Sequence, residues 1–193
     1  MNILHYTVLI INTNTSSAAM ILLSCPSKGT SASASSVLNR NSKLYGPMNA
    51  LDLKSGISNC WNSDAVVAPN GGSKNNNSVD GNDEGTSIDF IIDFHRTVCV
   101  EEIRIQFQGG FVGKDCILYV PNNNNDEKEE KWLELEEAIV EPEDTTEVQC
   151  FDLTEESETN RRHCPTLKLK FDDSSDFYGR VTIYKIEVWG TEE

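Results

Sequence analysis

Histidine is scarce in this chain, and its scarcity removes the commonest metal sites. His5, His95 and His163 are scattered and form no spaced motif. The six cysteines (25, 60, 99, 116, 150 and 164) include no C-x-x-C pair, so a zinc site is not expected either. No apolar run reaches the ~20 residues a membrane span needs. The short apolar stretch from Tyr6 to Ile11 has no Lys or Arg before it and polar residues after it, which does not make a signal peptide. Without an export signal, the thiols are expected to be reduced, as in the nucleus and cytoplasm. There is no G-x-S-x-G, no P-loop and no G-x-G-x-x-G, and nothing pairs two carboxylates in a pocket, so an enzyme is not expected. Nor does any segment hold a helical period for three turns; residues 134–141 are the nearest approach, short and followed by Pro142.

Positive charge is also in short supply. Sixteen Lys and Arg stand against thirty-one Asp and Glu, a net charge of −15. Residues 121–160 hold fifteen of the acids and only two Lys, a net of −13, which leaves the rest of the chain near neutral at −2. Binding to nucleic acid phosphates is disfavoured by this balance, because that affinity comes from Lys and Arg. The acidic block reads as a solvated surface, or as a patch that meets a basic partner.

What is present in quantity is the strand pattern. Ile88, Phe90, Ile92 and Phe94 alternate, as do Ile103, Ile105 and Phe107, and Leu167, Leu169 and Phe171. Further short strands are expected at Ile117–Tyr119, Trp132–Leu135 and Val148–Leu153. A closing strand from Arg180 to Trp189 is apolar on both faces, as a central strand would be. Met48–Asp52 suits one helical turn. Low-complexity loops at 69–87 and 121–131 separate the strands. Many short strands joined by Gly, Asn and Pro turns predict an all-β fold: a jelly-roll β-sandwich with long acidic loops.

The pieces SSVLNRN (35–41), CWNSD (60–64), IQFQGGF (105–111) and DFYGRV (176–181), in that order, resemble the discoidin, or coagulation-factor C-domain-like, jelly rolls of the galactose-binding-like superfamily. Within it they resemble a nuclear-receptor-associated branch. The resemblance implies a discoidin-like domain over 25–191 behind a disordered tail, 1–24. It also implies a start near Met20, which would leave the first nineteen residues outside the natural protein; the alternative is that Tyr6–Ile11 adds an edge strand. By the same resemblance the function is a non-enzymatic intracellular binding module: a protein-interaction adaptor or transcriptional co-regulator. Its partner would be a protein, a nuclear receptor or other transcription factor, with neither nucleic acid nor membrane bound directly. The alternative is a carbohydrate-binding module.

Seven residues in these segments are candidates for a binding surface at one end of the sandwich. Asn62 and Asp64 form a polar cluster at a loop end, beside a Trp61 expected in the core. Gln106 and Gln108 lie two apart on one strand face, so their amides are expected to project together. Phe111 is expected exposed at a loop tip beyond Gly109 and Gly110, with Tyr178 and Arg180 at the entrance of the last strand. Arg180 either clamps a ligand or pairs with Asp176 or Asp64. Carbohydrate-binding relatives hold calcium under their loops, and by that resemblance Asp52 and Glu187 stand where its carboxylate ligands would; otherwise no cofactor is expected.

Overall fold

A computed structural model describes residues 19–54, 56–66, 87–122, 131–135, 138–154 and 163–192. The expected tail over 1–18, the Tyr6–Ile11 alternative and most of both low-complexity loops lie outside the described residues. The strands are β1 (Ile21–Leu22), β2 (Ser31–Ala34), β3 (Trp61–Asn62), β4 (Ile88–Phe107), β5 (Gly113–Pro121), β6 (Trp132–Glu134), β7 (Val148–Asp152), β8 (His163–Ser174) and β9 (Thr182–Glu192). Among the described residues, one short helix, α1 (Ser42–Tyr45), and four 3₁₀ turns, one of them Pro47–Leu51 where a helical turn is expected, fill the early loops.

The two alternating runs 88–94 and 103–107, expected as separate strands, are one twenty-residue strand with a corner. The register against β8 shifts between Asp93 and Val98. At the corner His95 is left-handed (φ 54°), its N–H donated to Asp93 Oδ1 at 2.8 Å. A bulge of this kind bends a strand and raises its twist. The first half of β4 pairs with β2 and β8, and the second half with β7 and β9. β8 continues through β5 to β6, and β9 carries β1 and β3 on its far edge. All named pairings are antiparallel, and β4 joins the two layers of a jelly-roll sandwich.

Between the layers lies one apolar core. Phe90, Ile92, Phe94, Ile103, Ile105 and Phe107 of β4 enter it, with Leu167, Leu169 and Phe171 of β8 and Ile183, Ile186 and Val188 of β9. Trp61 is fully buried, edge-on to Phe90 at 4.9 Å, and its indole N–H is donated to Ser36 O at 3.1 Å. It closes the core and offers no stacking platform. Gly190 sits where β9 crosses β4: a Cβ there would lie 1.9 Å from Cys99 O, so only glycine fits.

Among the described residues the sandwich already takes in Ile21–Leu22, four residues before Cys25. β1 pairs with β9, Leu23 is fully buried, and Leu23 N–H is donated to Val188 O at 2.8 Å. Arg96 fixes this entry. Its guanidinium donates to Leu23 O (3.0 Å), Thr30 Oγ1 (3.1 Å), Phe94 O (2.8 Å) and Glu192 Oε1 (2.9 Å). Among the described residues of 134–141 there is no helix: β6 runs to Glu134, and Val140 is bridged to Cys116. Leu135 N–H is donated to Leu118 O of β5 at 2.9 Å, a cross-strand partner that a short isolated helix lacks.

Candidate functional site

At one end of the sandwich the chain between β8 and β9 makes a tight turn around Asp176. The Asp176 carboxylate accepts the N–H groups of Tyr178 and Arg180, each at 3.1 Å, and the guanidinium of Arg180 at 2.9 Å from Nε and 3.1 Å from Nη2. An aspartate that binds its own backbone two residues on is the usual device for holding such a turn. Gly179 takes the left-handed step (φ 73°), and Ser174 Oγ donates to Arg180 O at 2.6 Å. Burial alone pushes the Asp176 carboxyl up, but the Arg180 hydrogen bonds and charge, with the backbone N–H groups, outweigh it and hold the group below the usual carboxylate range.

Arg180 therefore pairs with Asp176 and is not an open clamp. Its guanidinium lies over the Phe111 ring at 4.9 Å and over the Tyr178 ring at 5.7 Å. Phe111, expected bare at a loop tip, is half-buried under that cation, because a guanidinium covers an aromatic face well. The exposed aromatic is the residue next along: Phe177 is 81% exposed and packs edge-on to Tyr178, itself 46% exposed, at 5.2 Å. Sequence reasoning passed over Phe177. The signal was available, since an apolar residue directly after the turn-forming Asp176 has no core face to enter.

The same end gathers three more segments. Val66 N–H is donated to Tyr178 O (3.0 Å) and Ser63 N–H to Val181 O (2.9 Å), which brings 60–66 alongside the turn. Asp64 Oδ1 accepts the N–H of Asn39 at 3.0 Å. Asn39 and Arg40 are both left-handed (φ 54° and 55°), a conformation uncommon outside glycine, and sequence reasoning missed it. Asn62 sits opposite Thr182 on β9. Gln108 N–H is donated to Thr182 O (3.1 Å), and Phe111 O accepts Thr182 N–H (2.9 Å). Asn62, Asp64, Gln108, Phe111, Tyr178 and Arg180 thus surround the start of β9.

Gln106 is one rung further in, opposite Val148 and Lys185. Its amide donates to Thr146 O at 3.0 Å, so it anchors the segment before β7.

The residues present do not fit calcium. Asp52 Oδ1 accepts Lys54 N–H at 3.0 Å. Glu187 Oε2 accepts the Trp189 indole N–H at 3.0 Å, and Arg104 stands across from Glu187 on β4. A cation already faces that carboxylate. Among the described residues no three His, Cys, Asp or Glu side chains converge, so an ion there would have to rest chiefly on carbonyl oxygens.

No protein-family model matches the chain. Among the solved structures that share the fold are a chitosan-binding module from Paenibacillus sp. IK-5 (13% identity, 88% of this chain, 99% of that one, TM-score 0.58), an F5/8 type C domain from Bacteroides fragilis (14%, 85%, 93%, 0.56) and an allantoicase from Saccharomyces cerevisiae (15%, 89%, 43%, 0.57). At those identities the likeness is one of fold, and that fold is the galactose-binding-like jelly roll. Sequence relatives are nearer. The "Nuclear receptor 2C2-associated protein" of Danio rerio is 31% identical over 164 residues, 85% of this chain and 93% of that one. The human protein of the same name is 31% identical over 170 residues, 87% of this chain and 95% of that one. With this identity sustained across nearly the whole length of these relatives, the chain belongs to the nuclear receptor 2C2-associated protein family.

Proposed function

We propose that the protein is a non-enzymatic adaptor of the nucleus and cytoplasm that binds a nuclear receptor of the 2C2 kind through the turn between β8 and β9 and the loops beside it. The observation that carries the reading is the exposed Phe177–Tyr178 pair on a turn already fixed by Asp176. A bare aromatic on a rigid frame meets a protein partner with little backbone to order, and such residues dominate binding energy at protein interfaces. The relatives' name supports the partner class. The six free cysteines support a reducing compartment.

Titrating purified nuclear receptor 2C2 into the labelled protein tests this. Saturable binding is expected, weakened about tenfold or more by Tyr178→Ala. Absence of binding to the receptor would remove the reading. Binding of galactose or chitooligosaccharide at the same loops instead would establish the carbohydrate-binding alternative.

A further inference from the structure

We propose that the aromatic turn is one half of a docking surface whose other half is the acidic segment 141–147, and that the partner segment it takes is basic with an apolar anchor. This deepens the protein-interaction reading above and rests on it.

Physical continuity comes first. Phe177 packs on Tyr178, Tyr178 faces the Arg180 guanidinium, and that guanidinium covers Phe111. Next to Phe111, Gly110 N–H is donated to Asp144 Oδ1 at 2.8 Å, and Gln106 Nε2 is donated to Thr146 O at 3.0 Å. The acidic segment is therefore bonded to the loop that carries the aromatic cluster. It is also held from behind. Val140 and Pro142 are buried. Gln149 accepts Glu143 N–H at 2.7 Å and donates to Glu143 O at 3.0 Å.

Charge decides the occupant. Glu141, Glu143, Asp144 and Glu147 are exposed. No salt bridge among the described residues takes up any of their carboxylates. The one guanidinium within the aromatic cluster is neutralised by Asp176. An acidic partner would bring like charges together, whereas a basic one would find four exposed carboxylates on a bonded backbone beside an apolar contact. Both halves are already in place, so little conformational freedom is lost on docking.

The test uses two synthetic peptides with identical Leu and Trp positions, one with Lys and Arg and the other with Glu at the polar positions. Each is titrated into the full-length protein and followed residue by residue by NMR. The basic peptide should perturb 108–111, 141–147 and 174–180, and the acidic peptide should perturb none of them. Phe177→Ala should weaken the basic peptide about tenfold, and the triple variant E141Q/E143Q/E147Q about fivefold or more, with a shallower salt dependence. These side chains are exposed, so the variants keep the fold. Perturbation elsewhere, or affinity unchanged in both variants, would overturn the inference. Nuclear receptor 2C2 is then titrated into the same three proteins. A receptor that binds all of them equally leaves the adaptor reading standing and removes this surface. A receptor that binds none, while the basic peptide still docks here, removes the receptor and keeps the surface.

Discussion

At the scale of single residues, Asp176 does most to shape the candidate site. Its side chain is only 9% exposed and accepts four hydrogen bonds. Asp176→Ala leaves two N–H groups and a guanidinium without that acceptor, and should cost about 2 kcal/mol. Because the folded carboxyl lies below its ordinary value, its contribution is complete above the unfolded pKa of ~3.9 and disappears as pH falls through the folded value. An NMR acid titration should therefore show the Tyr178 ring signals steady above about pH 3.9 and shifting only below it; a shift that begins well above that pH would show that the Asp176 contact does not hold the turn. The thiols allow a second prediction. Burial pushes Cys116 up, and pushes Cys164 up to about 12, while a hydrogen bond from Ser27 at 3.1 Å lowers Cys25. Since the thiolate is the nucleophile, iodoacetamide should label Cys25 first and leave Cys116 and Cys164 until denaturant is added. Mass mapping of the labelled sites checks the order, and early labelling of Cys164 would contradict it.

At the scale of elements, the N-terminal entry and the β4 corner carry the argument. β1 is two residues long, yet the burial of Leu23 and the Arg96 bonds at Leu23 O make it part of the sandwich. A chain begun at Met20 keeps that strand and one begun at Ser24 loses it. The loss should be about 2–4 kcal/mol from the apolar side chain and the strand hydrogen bonds, or roughly 5–15 °C in melting temperature. Equal melting of the two would show that the edge strand contributes nothing. The apolar periods of 88–94 and 103–107 were plain in the sequence. Their union was not, because the apolar alternation lapses at His95 and Arg96, and Arg96 is held there by groups remote in sequence: Leu23, Thr30 and Glu192.

At the scale of the whole molecule, charge matters most. A net of −15 on 193 residues opposes compaction through self-repulsion. Moving from low to near-physiological salt should screen it and raise stability by on the order of 1 kcal/mol, or about 2–4 °C, in a calorimetric scan. A flat response would place the acids too far apart to interact. The all-β class, the closing central strand, the buried Trp61 and the family were legible in the sequence, because period-2 alternation and local motifs are properties of neighbouring residues. Arg180 shows where that legibility stops. Its pairing with Asp176 was open to sequence, being four residues distant, but its cover over Phe111 was not. That contact exists only because β9 brings Thr182 against the end of β4. The same holds for the acidic segment: its charge is a fact of composition, while its place beside the aromatic turn depends on Gly110, Gln106 and Gln149, whose hydrogen bonds form only once β4 and β7 have paired.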